Sequence, residues 1–451
     1  MKNLRSILVL MSLCALCVAH MTSYAQSSMT GAINTMAVSN SIIRSDGDSL
    51  VVYSEFEGQG YFHLLSSLAN GSVVKVANVP DDVKVNDFKI LDGNVYFVGV
   101  TGRANAVAGY FNLSDLFYNG GSILYKQIIQ SGALVFLSLD RMEVYLCNDV
   151  AHIIAVGNLY DPSGSNLTGY ITTFLMDIQC DLINTTQGSY EFISSGLGFG
   201  WGVFFDIAMT DNYFVSVAHK GVPYDLSVAG YIMLCSFPKN DHPLQNMLQY
   251  YTLDNNINGS MAATGTVGDR FAVTYSTQDL YNLSDIHQEV ALFSLTTTGT
   301  FQLLSNCQAS ALTGMPYRSY YDMDYNNYTG LLCEFSNSNT TGNKKIGITS
   351  GMGSIEKVQF NDFKINSVCS ANQDSIVACG DATLGTGLYV GKIAVPTVKS
   401  QCINKSPMTL SQIFPTPLIG GSGSTAVVDS FNWEIDNSII TTTTFTVICK
   451  D

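Results

Sequence analysis

Two short patterns recur along this chain and interleave, and together they leave little room for anything but a repeating β structure. The segment Val85-Asn86-Asp87-Phe88-Lys89-Ile90 returns as Phe360-Asn361-Asp362-Phe363-Lys364-Ile365, with looser copies at Phe204-Phe205-Asp206-Ile207 and Tyr320-Tyr321-Asp322-Met323. A few turn-forming residues follow each copy, and then an apolar strand such as Val95-Tyr96-Phe97-Val98-Gly99 or Ile376-Val377-Ala378-Cys379-Gly380. That second strand alone occurs seven times, beginning near Leu50, Val95, Ile153, Tyr213, Phe271, Leu331 and Ile376. The spacing of roughly 45 to 60 residues is that of four-stranded units joined by variable loops. A third strand carries its own signature: Gly60-Tyr61-Phe62, Gly109-Tyr110-Phe111, Gly169-Tyr170-Ile171 and Gly230-Tyr231-Ile232, with weaker versions at Val290-Ala291-Leu292, Ile346-Gly347-Ile348 and Gly387-Leu388-Tyr389. A glycine that recurs inside a strand marks close backbone approach or a bulge.

The expected fold is therefore all-β, a seven-bladed β-propeller over residues 26–398 with a short C-terminal β extension over 399–451. Each blade reads as an inner strand near the Asp, a long apolar strand, the Gly-Tyr strand and a variable outer strand such as Ser122-Ile123-Leu124-Tyr125. The composition suits this. Charged residues are only 13% of the chain, about half the usual share, and helical periodicity is weak. The order Asp-apolar-x-apolar, turn, then a Val/Tyr-rich strand ending in Gly resembles the degenerate β-propeller repeats of secreted bacterial proteins. That resemblance covers roughly residues 30–398 and implies blade architecture without a particular activity.

The N-terminus is identified as a signal peptide over residues 1–25. Lys2 and Arg5 precede the apolar run Ile7 to Ala19, and Ser23-Tyr24-Ala25 offers small residues where a signal peptidase cuts. No later stretch has the roughly 18 uninterrupted apolar residues of a membrane span, so the mature chain is expected to be secreted, periplasmic or at the cell surface. The tail contains Pro415, Pro417 and the run Gly420-Gly421-Ser422-Gly423-Ser424, which read as a linker or long loop. Beyond it, Phe431 to Ile435 and Thr442 to Cys449 resemble two strands around the turn Asp436-Asn437. Either the tail closes the ring, as Ala32 to Val38 would also do, or it forms a separate hairpin. Nine cysteines follow the signal segment. An odd number leaves at least one without an intramolecular partner, and Cys369 with Cys379 and Cys402 with Cys449 are the pairs to test first.

With a formal charge of −15 and no basic run, nucleic acid and anionic membrane are excluded as partners, because both need clustered Lys and Arg. No nucleophile elbow, phosphate loop or zinc motif occurs, and neither a cofactor nor a metal is expected. The repeated acids Asp87, Asp206, Asp322 and Asp362, with Glu143 as a possible fifth, converge near one mouth of a propeller channel. There they would coordinate a hard cation or hold sugar hydroxyls. The same repetition fits a local role, each Asp accepting main-chain N–H bonds from its own turn. Aromatic residues supply a second set of candidates. Trp201 sits in the flexible frame Gly198-Phe199-Gly200-Trp201-Gly202, and Tyr320 and Tyr321 lie in a Tyr-rich loop stretch. Such side chains stack on sugars or anchor protein partners.

Two functions from different classes remain. One is a non-catalytic binding or scaffold propeller that recognises a protein or glycan ligand through one face. The other is a carbohydrate-active hydrolase or lyase with its site at the channel mouth, which requires two carboxylates, or a His–Tyr pair, converging there.

Overall fold

A computed structural model describes residues 28–34, 38–46, 49–102, 105–128, 135–160, 171–194, 202–220, 231–247, 249–254, 257–278, 286–309, 322–326, 330–336, 344–349, 354–371, 375–383, 386–394, 401–412, 417–420 and 427–450. The chain is all-β, with several antiparallel sheets and, among the described residues, one short α-helix, Leu113–Asn119. Asn112 caps that helix by accepting from the Asp115 amide, and Gly120 ends it in the left-handed conformation.

Successive strands pair as four-stranded antiparallel meanders, here termed units I to VII. Units I to VI comprise residues 40–78, 83–128, 135–194, 202–254, 257–309 and 323–360. Unit VII contains three strands, Phe363–Ala371, Ser375–Ala382 and Leu388–Ala394, and takes its fourth, Met29–Asn34, from the other end of the chain. The second strands lie at Ser49–Phe56, Asn94–Thr101, Val150–Tyr160, Tyr213–Lys220, Arg270–Gln278, Gly330–Ser336 and Ser375–Ala382, on the seven expected starts. Their near-continuous apolar runs have a simple cause: both faces are covered. Six consecutive residues of Ser375–Ala382 are buried, whereas in the outer strand Val73–Asn78 only Val74 and Ala77 are.

Apolar clusters are shared between consecutive units. Tyr53 and Phe62 of unit I pack with Phe88, Phe97 and Phe111 of unit II, and Met29 and Cys379 of unit VII pack with Ile43 and Val52 of unit I. The first strands also touch in chain order. Asn40–Asp46 contacts Val83–Leu91, which contacts Val135–Cys147; the sequence continues through Gly202–Met209, Ile257–Gly265, Met323–Asn326 and Phe363–Ala371, which returns to Asn40–Asp46.

The repeated glycines explain two local features. A Cβ at Gly109 or Gly157 would enter the ring of Phe97 or Phe174 directly across the ladder, so each glycine seats an aromatic ring on bare backbone. Gly99 and Gly380 end their second strands opposite β-bulges, between Val85 and Asp87 and between Ile365 and Ser367. A Cβ at either glycine would fall on the carbonyl of Lys84 or Lys364. The bulge turns the following side chain inward, and only glycine permits it there.

The tail differs from the hairpin expectation. Among the described residues its strands do not pair with one another; each joins a different unit. Ile403–Gln412 lies between the outer strands of units VI and V, Pro417–Gly420 joins unit IV, and Val427–Asn432 joins unit III. Glu434–Asp436 then joins unit II, Ile440–Thr444 unit I, and Thr446–Lys450 the N-terminal strand in unit VII. Cys402 and Cys449 form a disulfide, while Cys369 and Cys379, the other pair considered, are free and buried. Those two lie on adjacent strands but out of register: Cys379 faces Ser367, and Cys369 faces Val377.

Gly99→Ala is expected to cost about 3 kcal/mol, because backbone must move to admit the methyl. Gly58→Ala meets no atom but requires a left-handed φ of 84° and should cost about 1 kcal/mol. Urea midpoints of the two variants check the order.

Candidate functional site

Side chains from several first strands form one ionic cluster where those strands meet, and three of them, Asp87, Asp206 and Ser367, follow a bulge. Arg44 of unit I, 8% exposed, is its centre. Its Nη2 donates to Asp87 Oδ1 at 2.8 Å and its Nη1 to Asp322 Oδ2 at 3.0 Å. Further bonds run to the carbonyls of Ile43 and Phe88 and to Ser367 Oγ. One guanidinium thus joins units I, II, VI and VII. Beside it Lys89 of unit II pairs with Glu143 of unit III at 2.7 Å.

Each central acid also bonds forward to the next unit. Asp87 accepts from its neighbour Phe88 N with one oxygen and from Met142 N, in the first strand of unit III, with the other. Asp206 accepts from Ile207 N and from Ala263 N of unit V. Asp322 accepts from Ser367 Oγ at 2.7 Å and from Val368 N of unit VII. Asp324 repeats the pattern with Tyr325 N and Ser370 N.

Electrostatics follow from this placement. Burial opposes ionisation of Asp322, but Arg44, Arg141 and the Ser367 hydroxyl outweigh it and hold the carboxyl well below the usual range. Burial would likewise lower Arg44, and its partners Asp322 and Asp87 raise it instead. Among the described residues Asp206 has no cationic partner within salt-bridge distance. Burial pushes it up to about 7, against the more distant pull of Arg141 and its two main-chain donors. Glu143 is raised by burial and drawn back in part by Lys89.

Of the residues singled out in the sequence, Asp87 and Asp322 share Arg44, and Asp206 belongs to the same circuit. Asp362 does not. It stands in the turn before Phe363–Ala371 and accepts from Thr30 Oγ1 on the N-terminal strand. The inward position of unit VII belongs to Ser367, because the bulge there lies between Ile365 and Ser367. Trp201, Tyr320 and Tyr321 lie outside the described residues. Sequence reasoning missed Arg44 altogether. In three units a glycine near the end of the second strand marks the inward position: the residue facing the position just before Gly99, Gly157 and Gly380 is Asp87, Arg141 and Ser367, whereas the second strand of unit I, Ser49–Phe56, has no glycine to mark Arg44.

Other titratable clusters have buried carboxylates, although the His242 side chain is about half exposed. His152 donates to or accepts from Asp177 at 3.0 Å and stacks on Tyr145 with ring centres 4.8 Å apart. Glu191, directly across the ladder from Asp177, bonds His242 and Gln245. Neither carboxylate has any exposure. His63 is buried against Ser54 Oγ, and burial lowers it to about 4. Among the described residues no group of three or more His, Cys, Asp or Glu is arranged to hold a metal ion, and no helix is long and apolar enough to cross a membrane.

Comparisons with known proteins add little. No family model matches the chain, and no curated protein matches it. Among solved structures, xylan beta-1,4-xylosidase from Bacillus halodurans C-125 aligns over 92% of this chain and 95% of its own, at 9% identity and a TM-score of 0.25. A likeness of that size carries no argument about fold or activity.

Removing Arg44 leaves Asp87 and Asp322 without their shared cation. Arg44→Met should therefore destabilise by about 3 to 5 kcal/mol, read as a lowered urea midpoint. Asp206 supplies a pH dependence of defined sign. Its folded value lies above its unfolded one, so its stabilising proton is fully present below about pH 4 and is lost as pH rises to about 7. Asp206→Asn should remove that decline, so the variant gains on the wild type between pH 4 and pH 7 in urea titrations.

Proposed function

We propose that the seven units are the blades of a seven-bladed β-propeller, with the first strands around its axis, and that the protein is an exported, non-catalytic binding scaffold. The contacts from each first strand to the next, returning from unit VII to unit I, support the ring. The apparent signal segment and a disulfide, which persists in oxidising compartments, support export to the periplasm, the cell surface or the medium.

The observation that carries the binding reading is the use made of the central carboxylates. A general acid or base must exchange its proton with substrate, and a glycosidase pair must flank an open sugar site. Asp87 and Asp206 instead spend both oxygens on main-chain amides of their own and the next unit. Asp322 is held ionised against Arg44, Ser367 and Val368. These acids tie blades together, and fold alone does not confer an activity.

The ligand in this reading is a protein or a glycan, held through one face. In chain order Trp201 directly precedes the first strand of unit IV, and Tyr320-Tyr321 precede Asp322 at the entry to that of unit VI. We assign the ligand face to the end of the ring where first strands begin.

A glycan array probed with the purified protein, followed by chromatography of any bound polysaccharide, tests the proposal. Binding with the polysaccharide recovered intact, and weakened at least tenfold by Trp201→Ala or by Tyr320→Ala with Tyr321→Ala, is the expected result. Shortened products would overturn it in favour of a hydrolase or lyase.

A further inference from the structure

We infer that the C-terminal segment is a covalent belt: the Cys402–Cys449 disulfide closes it into a loop around the outside of the seven units, and this bond, more than strand pairing, holds the belt on. The inference rests on the reading of the units as a ring.

The pairing order carries the argument. The tail visits units VI, V, IV, III, II, I and VII in turn, which is one complete circuit run against the direction of the chain. It begins at the outer strand of unit VI, where Ile403 faces Phe360, and ends on unit VII, where Cys449 faces Thr30. These two places are neighbours only because the circuit is complete, and there Cys402 meets Cys449 across 47 residues of sequence. A disulfide at that point makes a hoop with residues 29–394 inside it.

Strand pairing alone is a weak fastening. The contribution on unit II is three residues long and that on unit IV four. The last two strands have no buried side chain, every residue being partly or largely exposed. Ile435, Ile439 and Ile448 are at least half exposed. Two side chains anchor this stretch between the strands. Trp433 is wedged against Tyr110 and Phe431 with its Nε1 donating to the Gln187 carbonyl, and Phe445 is buried over Gly31. An outer strand held on one edge frays readily, but a closed loop cannot peel from a free end.

Cys402 is buried and Cys449 partly exposed, so a small dithiol can attack at Cys449. Its two thiols supply two electrons and two protons, leaving thiols at Cys402 and Cys449 while the dithiol departs as its own disulfide. The belt then acquires a free end, and the fourth strands beneath it become sheet edges.

Hydrogen exchange on the full chain tests this, comparing oxidised wild type, the same folded protein treated with dithiothreitol, and the Cys402→Ser/Cys449→Ser variant, with Cys147→Ser as a control. Amides of 427–450 should exchange at least tenfold faster in the reduced and double-variant proteins. The outer strands Val73–Asn78, Ile123–Ile128 and Gln187–Ser194 should lose protection with them, while the first strands stay unchanged. Equal protection of 427–450 in all forms would overturn the latch, as would a non-reducing peptide map without the Cys402–Cys449 link. Averaged electron micrographs of the oxidised protein separate the two readings. An intact disc with a belt indifferent to reduction defeats the latch alone, and the absence of a disc defeats the ring together with the encircling belt.

Discussion

A carboxylate that accepts one amide from its own strand and one from the next is the contact on which the rest of this protein depends. Consecutive sheets have ample apolar area between them, yet apolar packing is indifferent to small slips of one sheet on another. Directional bonds from Asp87 to Met142, from Asp206 to Ala263 and from Asp322 to Val368 fix that register at the narrow inner edge. Arg44 then neutralises two of the acids at once, so the cluster forms without an unpaired buried charge at its most enclosed point. Breaking such a cluster costs far more than forming it returns, which makes it a better guarantor of one arrangement than of raw stability.

The architecture was largely legible because its signals are local. The recurring Asp segment, the apolar second strands, turn residues and the Gly-Tyr pattern each act within a few residues, and all seven second strands stand close to where the pattern placed them. The acids were legible as a type but not always in position. Asn361-Asp362-Phe363-Lys364-Ile365 copies Asn86-Asp87-Phe88-Lys89-Ile90 residue for residue, yet Phe88 faces Phe97 at mid-strand while Phe363 opens its strand against Ala382. Register is set by where the opposite glycine allows a bulge, and the two copies sit differently against that glycine. Motif identity therefore misled where backbone geometry decided.

Arg44 and the partners of the tail strands were illegible for a different reason. A single arginine in a strand carries no pattern of its own, and its partners stand 43 and 278 residues away. The last three strands, Glu434–Asp436, Ile440–Thr444 and Thr446–Lys450, are short and have no buried side chain, so they lack the apolar runs that betray a buried strand. What they pair with is decided wholly by edges that the other units leave exposed.

Unit VII draws its fourth strand from Met29–Asn34. Units I to VI are each built from one continuous stretch and can form as the chain is synthesised, since domains assemble from the N-terminus as it emerges. Met29–Asn34 must wait, unpaired, until Leu388–Ala394 exists, and the outer edge it then offers is taken by Thr446–Lys450, at the far end of the sequence. The N-terminal strand is thus seated between two segments from far along the sequence, and its place in unit VII exists only once both have been made.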